Sequence, residues 1–428
     1  MSETLDEITK ELNENTPLGH GMLKYFQFDP DYVCVNNGSY GSTPKCIALK
    51  AQAIRKHAAL NPDHFNRFEF ELRMRRARLC LAEYVGADVD DIVFVANASA
   101  GVNAVLRSFR YEKGDKILSL DCAYGMTKMT LKFLSDVHGV EGHVINVKWP
   151  IDDEELVTQV ADAIKEHGPF KLATFSHITS QPGCILPIDG LLNVCRQHKV
   201  LSLVDGAHAV GQIPLKLAKM DPDFYTSNLH KWCYAPSGCA FLYVKRELRP
   251  LIHPTVISFG YGDFQSEFLY LGTLDNANYL TVPDCLKFRS LLGEQRILSH
   301  NHDLAVKVGK SVAKIWGTEV LNENPKHLGT MVDVRCPTND LEVLSFIRLH
   351  FLLSYKTYVP TYTLDGRVFA RFSAQIYNEL SDFENIAHEI LYRIRSLEHG
   401  PNTPFNPKFL IGDRIAGVCR NEQGKNES

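Results

Sequence analysis

Short apolar runs alternate with amphipathic stretches between about residue 70 and residue 280. One stretch has Val102, Val105, Leu106 and Phe109 at i, i+3, i+4 and i+7, a spacing that predicts a helix, and Ser99 is its expected N-cap. Further helices are predicted at 156–167 and 191–198. Extended segments are predicted at 116–120, 171–178, 201–204, 223–227 and 239–244. This alternation is typical of an α/β fold with a mainly parallel sheet.

The pattern changes after about residue 283. A long helical stretch is followed by extended segments at 327–336 and 367–373, with a helix predicted at 341–350 between them. This order is typical of a smaller α+β domain. We therefore expect three parts: an N-terminal arm associated with the small domain (1–35), a large α/β domain (36–283), and a smaller C-terminal α+β domain with a terminal tail (284–428). Residues 400–408 are expected to form a loop.

Composition narrows the class of protein. Forty-six basic and fifty acidic residues give a net charge of −4, and no run of Lys or Arg forms a nucleic-acid-binding stripe. No stretch reaches the roughly 18 apolar residues that span a bilayer, and the polar, acidic first fifteen residues do not resemble a targeting signal. The eleven cysteines contain no CxxC pair, so we expect reduced thiols, no metal site and a cytoplasmic location.

Two motifs place a carboxylate and an amine at the ends of neighbouring predicted strands. Asp205 follows the apolar run 201–204, and Lys231 follows the run 223–227. Open α/β sheets bind ligands at the carboxyl ends of their strands. The pair suits pyridoxal phosphate, whose aldehyde Lys231 would hold as an imine and whose pyridine nitrogen Asp205 would keep protonated. The less specific interpretation is an exposed lysine and a salt-bridged aspartate.

Other residues fit the same chemistry. Asn97-Ala98-Ser99-Ala100-Gly101 precedes the predicted helix, and free N–H groups at a helix N-terminus bind phosphate. His208, three residues after Asp205, can donate to the phenolic oxygen of the cofactor. Arg371 lies between apolar residues in the extended segment 367–373, where a guanidinium can hold a carboxylate through two hydrogen bonds, although a structural ion pair is an alternative.

The motifs together resemble the class V aminotransferase family of fold-type I pyridoxal-phosphate enzymes. Its isopenicillin N epimerase-like branch, which includes the fungal ergothioneine C–S lyases, is the most similar. The resemblance extends from about residue 17 to residue 390. The motifs that carry it are NNGSYGSTP (36–44), NASAGVN (97–103), DCAYG (121–125), SHITSQPG (176–183), DGAH (205–208), NLHKW (228–232), YLGTLD (270–275) and RFSAQIYN (371–378).

The resemblance implies a role for each matching residue. The large domain should contain a seven-stranded sheet, and the enzyme should be a homodimer with shared active sites. Tyr124 would stack on the cofactor ring, Ser180 would lie near it, and Arg371 and Arg67 would bind the amino-acid substrate. The expected phosphate ligands are Ser99, Ala100, His230 and, from the neighbouring subunit, Thr273. Position 270, where the family has tryptophan, is tyrosine in this chain.

The resemblance leaves the reaction open between several outcomes. Elimination of a group from the β-carbon of a cysteine conjugate or its sulfoxide, hence a C–S lyase, is the first expectation. Epimerisation and transamination are the alternatives, and a non-catalytic homologue is a further one. Cysteine desulfurases of this superfamily carry a nucleophilic cysteine in a loop before the arginine strand. The corresponding residues 354–363 contain no cysteine, and Cys336 is expected to be a core residue.

Overall fold

A computed structural model describes residues 11–399 of the chain, and its larger sheet has seven strands. In chain order they are β1 (Ile92–Val95), β2 (Lys116–Leu120), β3 (Glu141–Ile145), β4 (Leu172–Ser176), β5 (Leu201–Asp205), β6 (Phe224–Asn228) and β7 (Ala240–Val244). Their order across the sheet is β1-β7-β6-β5-β4-β2-β3. Strand β7 runs opposite to the other six strands of this sheet. The predicted α/β fold with a mainly parallel, seven-stranded sheet is therefore confirmed.

The smaller sheet lies in the C-terminal part of the chain and is antiparallel. Its strands are β8 (Met331–Arg335), β9 (Thr361–Leu364) and β10 (Arg367–Ser373), in the order β8-β10-β9. Helices pack against it and form a second apolar core that includes Val35, Val308, Phe351 and Phe372. Val35 comes from the N-terminal segment, whose residue Asn36 pairs with Ser373 at the end of β10. The division of the chain at residues 35 and 283 remains a prediction.

Helices surround both sheets. The α-helices of the described residues are α1 (Asn37–Tyr40), α2 (Lys45–Leu60), α3 (Pro62–His64), α4 (Phe70–Val85), α5 (Ala98–Ser108), α6 (Gly125–His138), α7 (Asp153–His167), α8 (Ile188–His198), α9 (Leu217–Met220), α10 (Leu229–Trp232), α11 (Phe264–Leu269), α12 (Ala277–Leu280), α13 (Val282–Leu292), α14 (Glu294–Trp316), α15 (Leu341–Ser354) and α16 (Leu380–His399). The loop expected at 400–408 lies outside the described residues.

Several sequence expectations need correction. The N-cap of α5 is Asn97, whose side chain accepts the N–H of Ala100, so Ser99 lies inside the first turn. The long helix expected after residue 283 is two helices, α13 and α14, separated at Gly293, whose φ of 85° lies in the left-handed region that favours glycine. Phe288 and Leu292 of α13 pack in the core of the larger sheet.

The predicted strand limits also change. The segment expected to be extended from 327 to 336 is a strand only over β8, because residues Pro325–His327 form a 3-10 turn. Strands β1, β3 and β9 are not among the predicted extended segments. Strand β1 is buried and apolar but has only four residues, β3 is largely exposed, and β9 is mostly half-buried, so none of the three shows a long apolar run.

Candidate active site

A cavity of about 220 Å³ opens at the carboxyl ends of β2, β4, β5 and β6. Parallel neighbours in this part of the sheet bring their following loops to one edge. Seven of the predicted site residues line the cavity: Ser99, Tyr124, Ser180, Asp205, His208, His230 and Lys231. The two motifs that are about twenty residues apart in the sequence therefore meet at one site.

Lys231 lies on α10, the short helix that directly follows β6. Burial lowers the pKa of Lys231 to about 7, and the positive charge of Arg371 contributes to this decrease. The negative charge of Asp205 opposes it. An amine with this pKa is largely uncharged slightly above neutral pH, which makes it a nucleophile and a base.

The ring of His208 contacts Lys231 and has a defined tautomer. Trp232 Nε1 lies 3.4 Å from His208 Nδ1, and an indole N–H can only donate. Nδ1 of His208 must therefore accept, which places the proton of the neutral imidazole on Nε2. His208 Nε2 lies 3.0 Å from Lys231 Nζ, so Nε2–H donates to the uncharged amine. Burial holds the pKa of His208 well below its usual value, which keeps the ring neutral.

Asp205 is the last residue of β5 and is 5% exposed. Its Oδ1 accepts the N–H of Ala207 at 3.0 Å. Burial raises the pKa of this carboxyl, and the hydrogen bond from Ala207 and the charge of Lys231 only partly offset that effect. A buried carboxylate is costly unless a cation accompanies it. A protonated pyridine nitrogen placed beside Asp205 would supply that cation.

The N-terminus of α5 forms one wall of the cavity. Asn228 Oδ1 accepts the N–H of Ala98 at 2.8 Å, and Asn97 Oδ1 accepts the N–H of Ala100 at the same distance. These two side chains satisfy the N–H groups on either side of Ser99. The N–H and hydroxyl of Ser99 are therefore the groups of this turn that are best placed to bind an anion.

His230 lies beside the same wall. Its Nδ1 is 2.8 Å from the carbonyl oxygen of Cys239, which requires a proton on Nδ1. Burial lowers the pKa of His230. A phosphate bound at Ser99 would favour the protonated ring, whose Nε2–H would then become a second donor to the anion.

Arg371 lies in β10 and is 2% exposed. Its Nη1 donates to the carbonyl oxygen of Ser180 at 2.8 Å and to Ser180 Oγ at 3.2 Å. Its Nη2 donates to Asn36 Oδ1 at 2.9 Å and to Ser39 Oγ at 3.0 Å. All these acceptors are neutral, and Nε has no hydrogen-bond partner among the described residues. Because Ser39 and Ser180 line the cavity, the guanidinium lies directly behind its wall.

The remaining predicted residues have different positions. Tyr124 lines the cavity and is 51% exposed, so one side of its ring is available for contact with a ligand. Ala100 uses its N–H in the cap of α5. Thr273 is exposed, and its Oγ1 lies 3.2 Å from the hydroxyl of Tyr270. Arg67 is an exposed residue that forms an ion pair with Asp63. Neither Thr273 nor Arg67 reaches the cavity of its own chain.

Sequence reasoning missed several residues that build the site. Asn97 and Asn228 organise the start of α5, Trp232 sets the tautomer of His208, and Asn36 and Ser39 hold Arg371. All five lie inside motifs that the sequence analysis singled out, so their positions were available. The roles of Asn228, Trp232, Asn36 and Ser39 were not, because each acts through a hydrogen bond between distant segments of the chain, and Asn97 was missed because Ser99 was the expected N-cap.

Two features of residues 11–399 bear on the expectations from composition. No cluster of three or more metal-ligating side chains is present in that part of the chain. Among the same residues, no helix is long and apolar enough to cross a membrane.

The chain is similar to proteins of known family. A family model described as aminotransferase class V matches residues 42–345. A hercynylcysteine sulfoxide lyase of Schizosaccharomyces pombe is 32% identical over 388 residues, which cover 88% of this chain and 98% of that protein. An isopenicillin N epimerase of Streptomyces clavuligerus is 29% identical over 72% of this chain and 82% of its own length.

A solved structure supports the fold. The cystine C–S lyase C-DES, in complex with its reaction product cysteine persulfide, superposes with a TM-score of 0.73 over 84% of this chain and 97% of its own, at 20% identity. At this identity the likeness shows the fold, which confirms the predicted fold type. The expected cofactor is also confirmed, because class V aminotransferases use pyridoxal phosphate. The matched region covers more than half of the chain, and the protein belongs to the class V aminotransferase family.

Proposed function

We propose that the protein is a pyridoxal-phosphate-dependent C–S lyase that cleaves the bond between the β-carbon and sulfur of a cysteine conjugate or its sulfoxide. One observation carries the proposal: the amine of Lys231 lies 3.0 Å from His208 Nε2 in a cavity that also contains the buried carboxyl group of Asp205. The names of relatives that match most of the chain, a hercynylcysteine sulfoxide lyase and L-cysteine desulfhydrases, support the choice of reaction.

The residues of the cavity fit the cofactor. Ser99 and His230 would bind its phosphate, and Asp205 would bind its pyridine nitrogen. Tyr124 would cover one face of its ring. When bound, pyridoxal phosphate supplies an aldehyde that links to amines and a ring that accepts the electron pair released at the α-carbon. Asp205 supports this chemistry because a carboxylate in a buried site keeps the ring nitrogen protonated.

Lys231 and His208 would manage the proton of the α-carbon. Burial lowers the pKa of Lys231 to about 7, so a large fraction of the amine is uncharged near neutral pH and its lone pair would be available to take that proton. In the resting site the amine accepts the Nε2–H of His208 at 3.0 Å, which fixes its position, and this hydrogen bond would have to break before the lone pair takes the proton. The sulfur group would leave with its bonding electrons, and the proton taken by Lys231 would be returned to it. The remaining three-carbon fragment hydrolyses to pyruvate and ammonia.

Arg371 would bind the carboxylate of the substrate. Its hydrogen bonds to Ser39 and Ser180 occupy the groups that face the cavity. A carboxylate offers two charged acceptors in place of these neutral oxygens, and charge-assisted pairs of this type are about twice as strong as neutral hydrogen bonds. Ser39 and Ser180 therefore keep the guanidinium in position until the substrate replaces them.

A persulfide mechanism of the desulfurase type is disfavoured. Residues 354–363, which join the end of α15 to β9, contain no cysteine. Cys336 is buried beside β8, and burial raises its pKa to about 12, so it is not a nucleophilic thiolate at neutral pH. Epimerisation stays the second candidate because the similarity also includes an isopenicillin N epimerase.

Product analysis tests the proposal. The purified protein, loaded with cofactor, would be incubated with S-alkyl-L-cysteine sulfoxides and with L-cysteine. We expect stoichiometric pyruvate and ammonia, with a faster rate for one of these classes. Inverted substrate with no pyruvate would indicate an epimerase. A keto acid that retains the sulfur would indicate an aminotransferase, and either result would contradict the lyase proposal.

We also propose that the active unit is a cytoplasmic homodimer. Thr273 and Arg67 lie at the surface and do not line the cavity of their own chain, which supports a role for both at the site of a partner. Thr273 adjoins a segment with large exposed apolar side chains, namely Val256, Ile257, Phe259, Tyr261 and Leu274. Exposed apolar groups of this number are typical of an interface. All cysteines within the described residues are free thiols, which supports a reducing compartment.

A further inference from the structure

Asp333 is a buried carboxylate with no role in the chemistry described above. It lies in β8 directly opposite Arg371 of β10, and the two residues are 4% and 2% exposed. Side chains of directly opposed residues in an antiparallel pair project from the same face of the sheet. Asp333 and Arg371 therefore both project toward the same part of the larger domain.

That part is the 179–184 turn, which follows β4. Thr179 closes the turn: its N–H donates to the carbonyl oxygen of Cys184 at 2.9 Å, and its hydroxyl donates to that of Pro182 at 2.5 Å. Ser180 and Gly183 lie at the tip of the turn and contact different residues of the small sheet. Ser180 accepts two hydrogen bonds from Arg371, and Gly183 donates its N–H to Asp333 Oδ2 at 2.7 Å.

The turn fits closely against β8. A Cβ atom placed on Gly183 would come within 2.8 Å of the Cβ of Met331 and 3.4 Å of Asp333 Oδ2. Glycine is therefore required here for the backbone to reach the carboxylate. Two neighbouring side chains of opposite charge hold the two sides of one turn, and one of them is the arginine that faces the cavity.

We propose that Asp333 is a positioning residue for the recognition of the substrate carboxylate. By holding Gly183, Asp333 fixes the turn so that Ser180 and Arg371 keep the geometry that a carboxylate requires. Recognition through two parallel hydrogen bonds tolerates displacements of only about 0.5 Å and 10–20°. This inference rests on the proposed function through the role of Arg371.

The charge of Asp333 has a separate effect from its hydrogen bond. Burial raises the pKa of Asp333 to about 6, and the Gly183 N–H and the Arg371 charge both oppose this increase. Asparagine at this position would keep an acceptor for Gly183 and remove the charge. Glutamate would keep the charge and move the acceptor by one methylene group. The two variants therefore separate the effect of the position of the Gly183 acceptor from the effect of the charge at residue 333.

The experiment measures binding of L-alanine to the cofactor-loaded protein through the visible absorbance of the cofactor. L-alanine has the α-carboxylate and no group that can leave from its β-carbon, so binding is measured without turnover. Ethylamine, which lacks the carboxylate, is the matched ligand. Asp365→Asn is the matched control variant because Asp365 is exposed in the turn between β9 and β10.

We expect Asp333→Ala and Asp333→Glu to weaken L-alanine binding roughly tenfold or more, the effect of losing a buried hydrogen bond that orients a charged contact. Asp333→Asn and Asp365→Asn should remain within about threefold of the natural chain. Ethylamine binding should not change in any of these variants. If Asp333→Ala does not fold, the comparison of Asp333→Asn with Asp333→Glu still tests whether Asp333 positions the turn.

Two results would overturn the inference in different ways. Unchanged L-alanine binding in Asp333→Glu, or equal weakening in Asp333→Asn, would show that Asp333 does not act by positioning the turn, provided that Arg371→Ala abolishes binding. Undiminished binding in Arg371→Ala would instead refute the substrate role of Arg371, and the role of Asp333 with it.

Discussion

The substitution Asp205→Asn isolates the charge that the cavity offers to the cofactor. Asparagine has the same shape as aspartate, and its amide oxygen can still accept the N–H of Ala207 that Asp205 accepts at 3.0 Å. The local fold and the proposed phosphate site at Ser99 should therefore be preserved. The change removes only the negative charge that would hold a proton on the pyridine nitrogen.

The size of the effect follows from burial. Asp205 is 5% exposed, so its interaction with a cation takes place with little screening by solvent. Coupling energies of close, buried charge pairs are about 1.5–7 kcal/mol. A value of about 4 kcal/mol in this range, expressed only when the ring accepts electrons, corresponds to a rate reduced roughly a thousandfold.

The assay follows pyruvate release under saturating substrate, with cofactor content measured in parallel from the absorbance of the bound cofactor. We expect Asp205→Asn to retain the cofactor and to lose most of kcat. Turnover within about threefold of the natural chain, at equal cofactor content, would refute the assignment of Asp205 as the partner of the ring nitrogen.

Three further predictions concern other groups. Arg371→Ala should weaken substrate binding by the roughly 2–5 kcal/mol of a buried charged contact, which is measured as a higher KM at unchanged cofactor absorbance. An equal rise in KM for a substrate without a carboxylate would contradict this role. Trp232→Phe removes the donor to His208 Nδ1, so the proton of the ring can move to Nδ1 and Nε2 can accept from the charged amine of Lys231. This contact favours the charged amine and should move the pH midpoint of cofactor capture upward from about 7. An unchanged midpoint would exclude control by the His208 tautomer. Thr273→Ala and Lys231→Ala chains, each nearly inactive, should recover about a quarter of full activity when mixed, because half of the dimers would contain one intact site; no recovery despite subunit exchange would refute a shared site.

Much of the large domain could be predicted from the sequence because its strands are buried on both faces. The runs at β4 and β5 are short and mostly apolar, and β6 is buried along its whole length although it ends in polar residues. Strand β3 is largely exposed, so it lacked this signal. The direction of β7 could not be predicted either, since an antiparallel strand inside a mainly parallel sheet has the same local composition as its neighbours.

The chemistry of the site was predictable for Lys231 and Asp205, because a lysine and an aspartate at the ends of neighbouring strands suit one cofactor. Lys231 and Asp205 follow strands that are neighbours in the sheet, and this placement requires only the order of the elements. The partners of Arg371 could not be predicted, because Asn36, Ser180 and Asp333 lie between 38 and 335 residues away from it in the chain. Such contacts depend on how the small sheet packs against the 179–184 turn.

Reductive trapping tests the central claim, that the active site is built around a cofactor bound to Lys231. The cofactor-loaded protein would be treated with borohydride, digested, and mapped by mass spectrometry, with Lys231→Ala as the control. We expect a single pyridoxyl-modified peptide, which contains Lys231, and no modified peptide from the Lys231→Ala chain. Modification of a different lysine, or equal labelling of the Lys231→Ala chain, would contradict it.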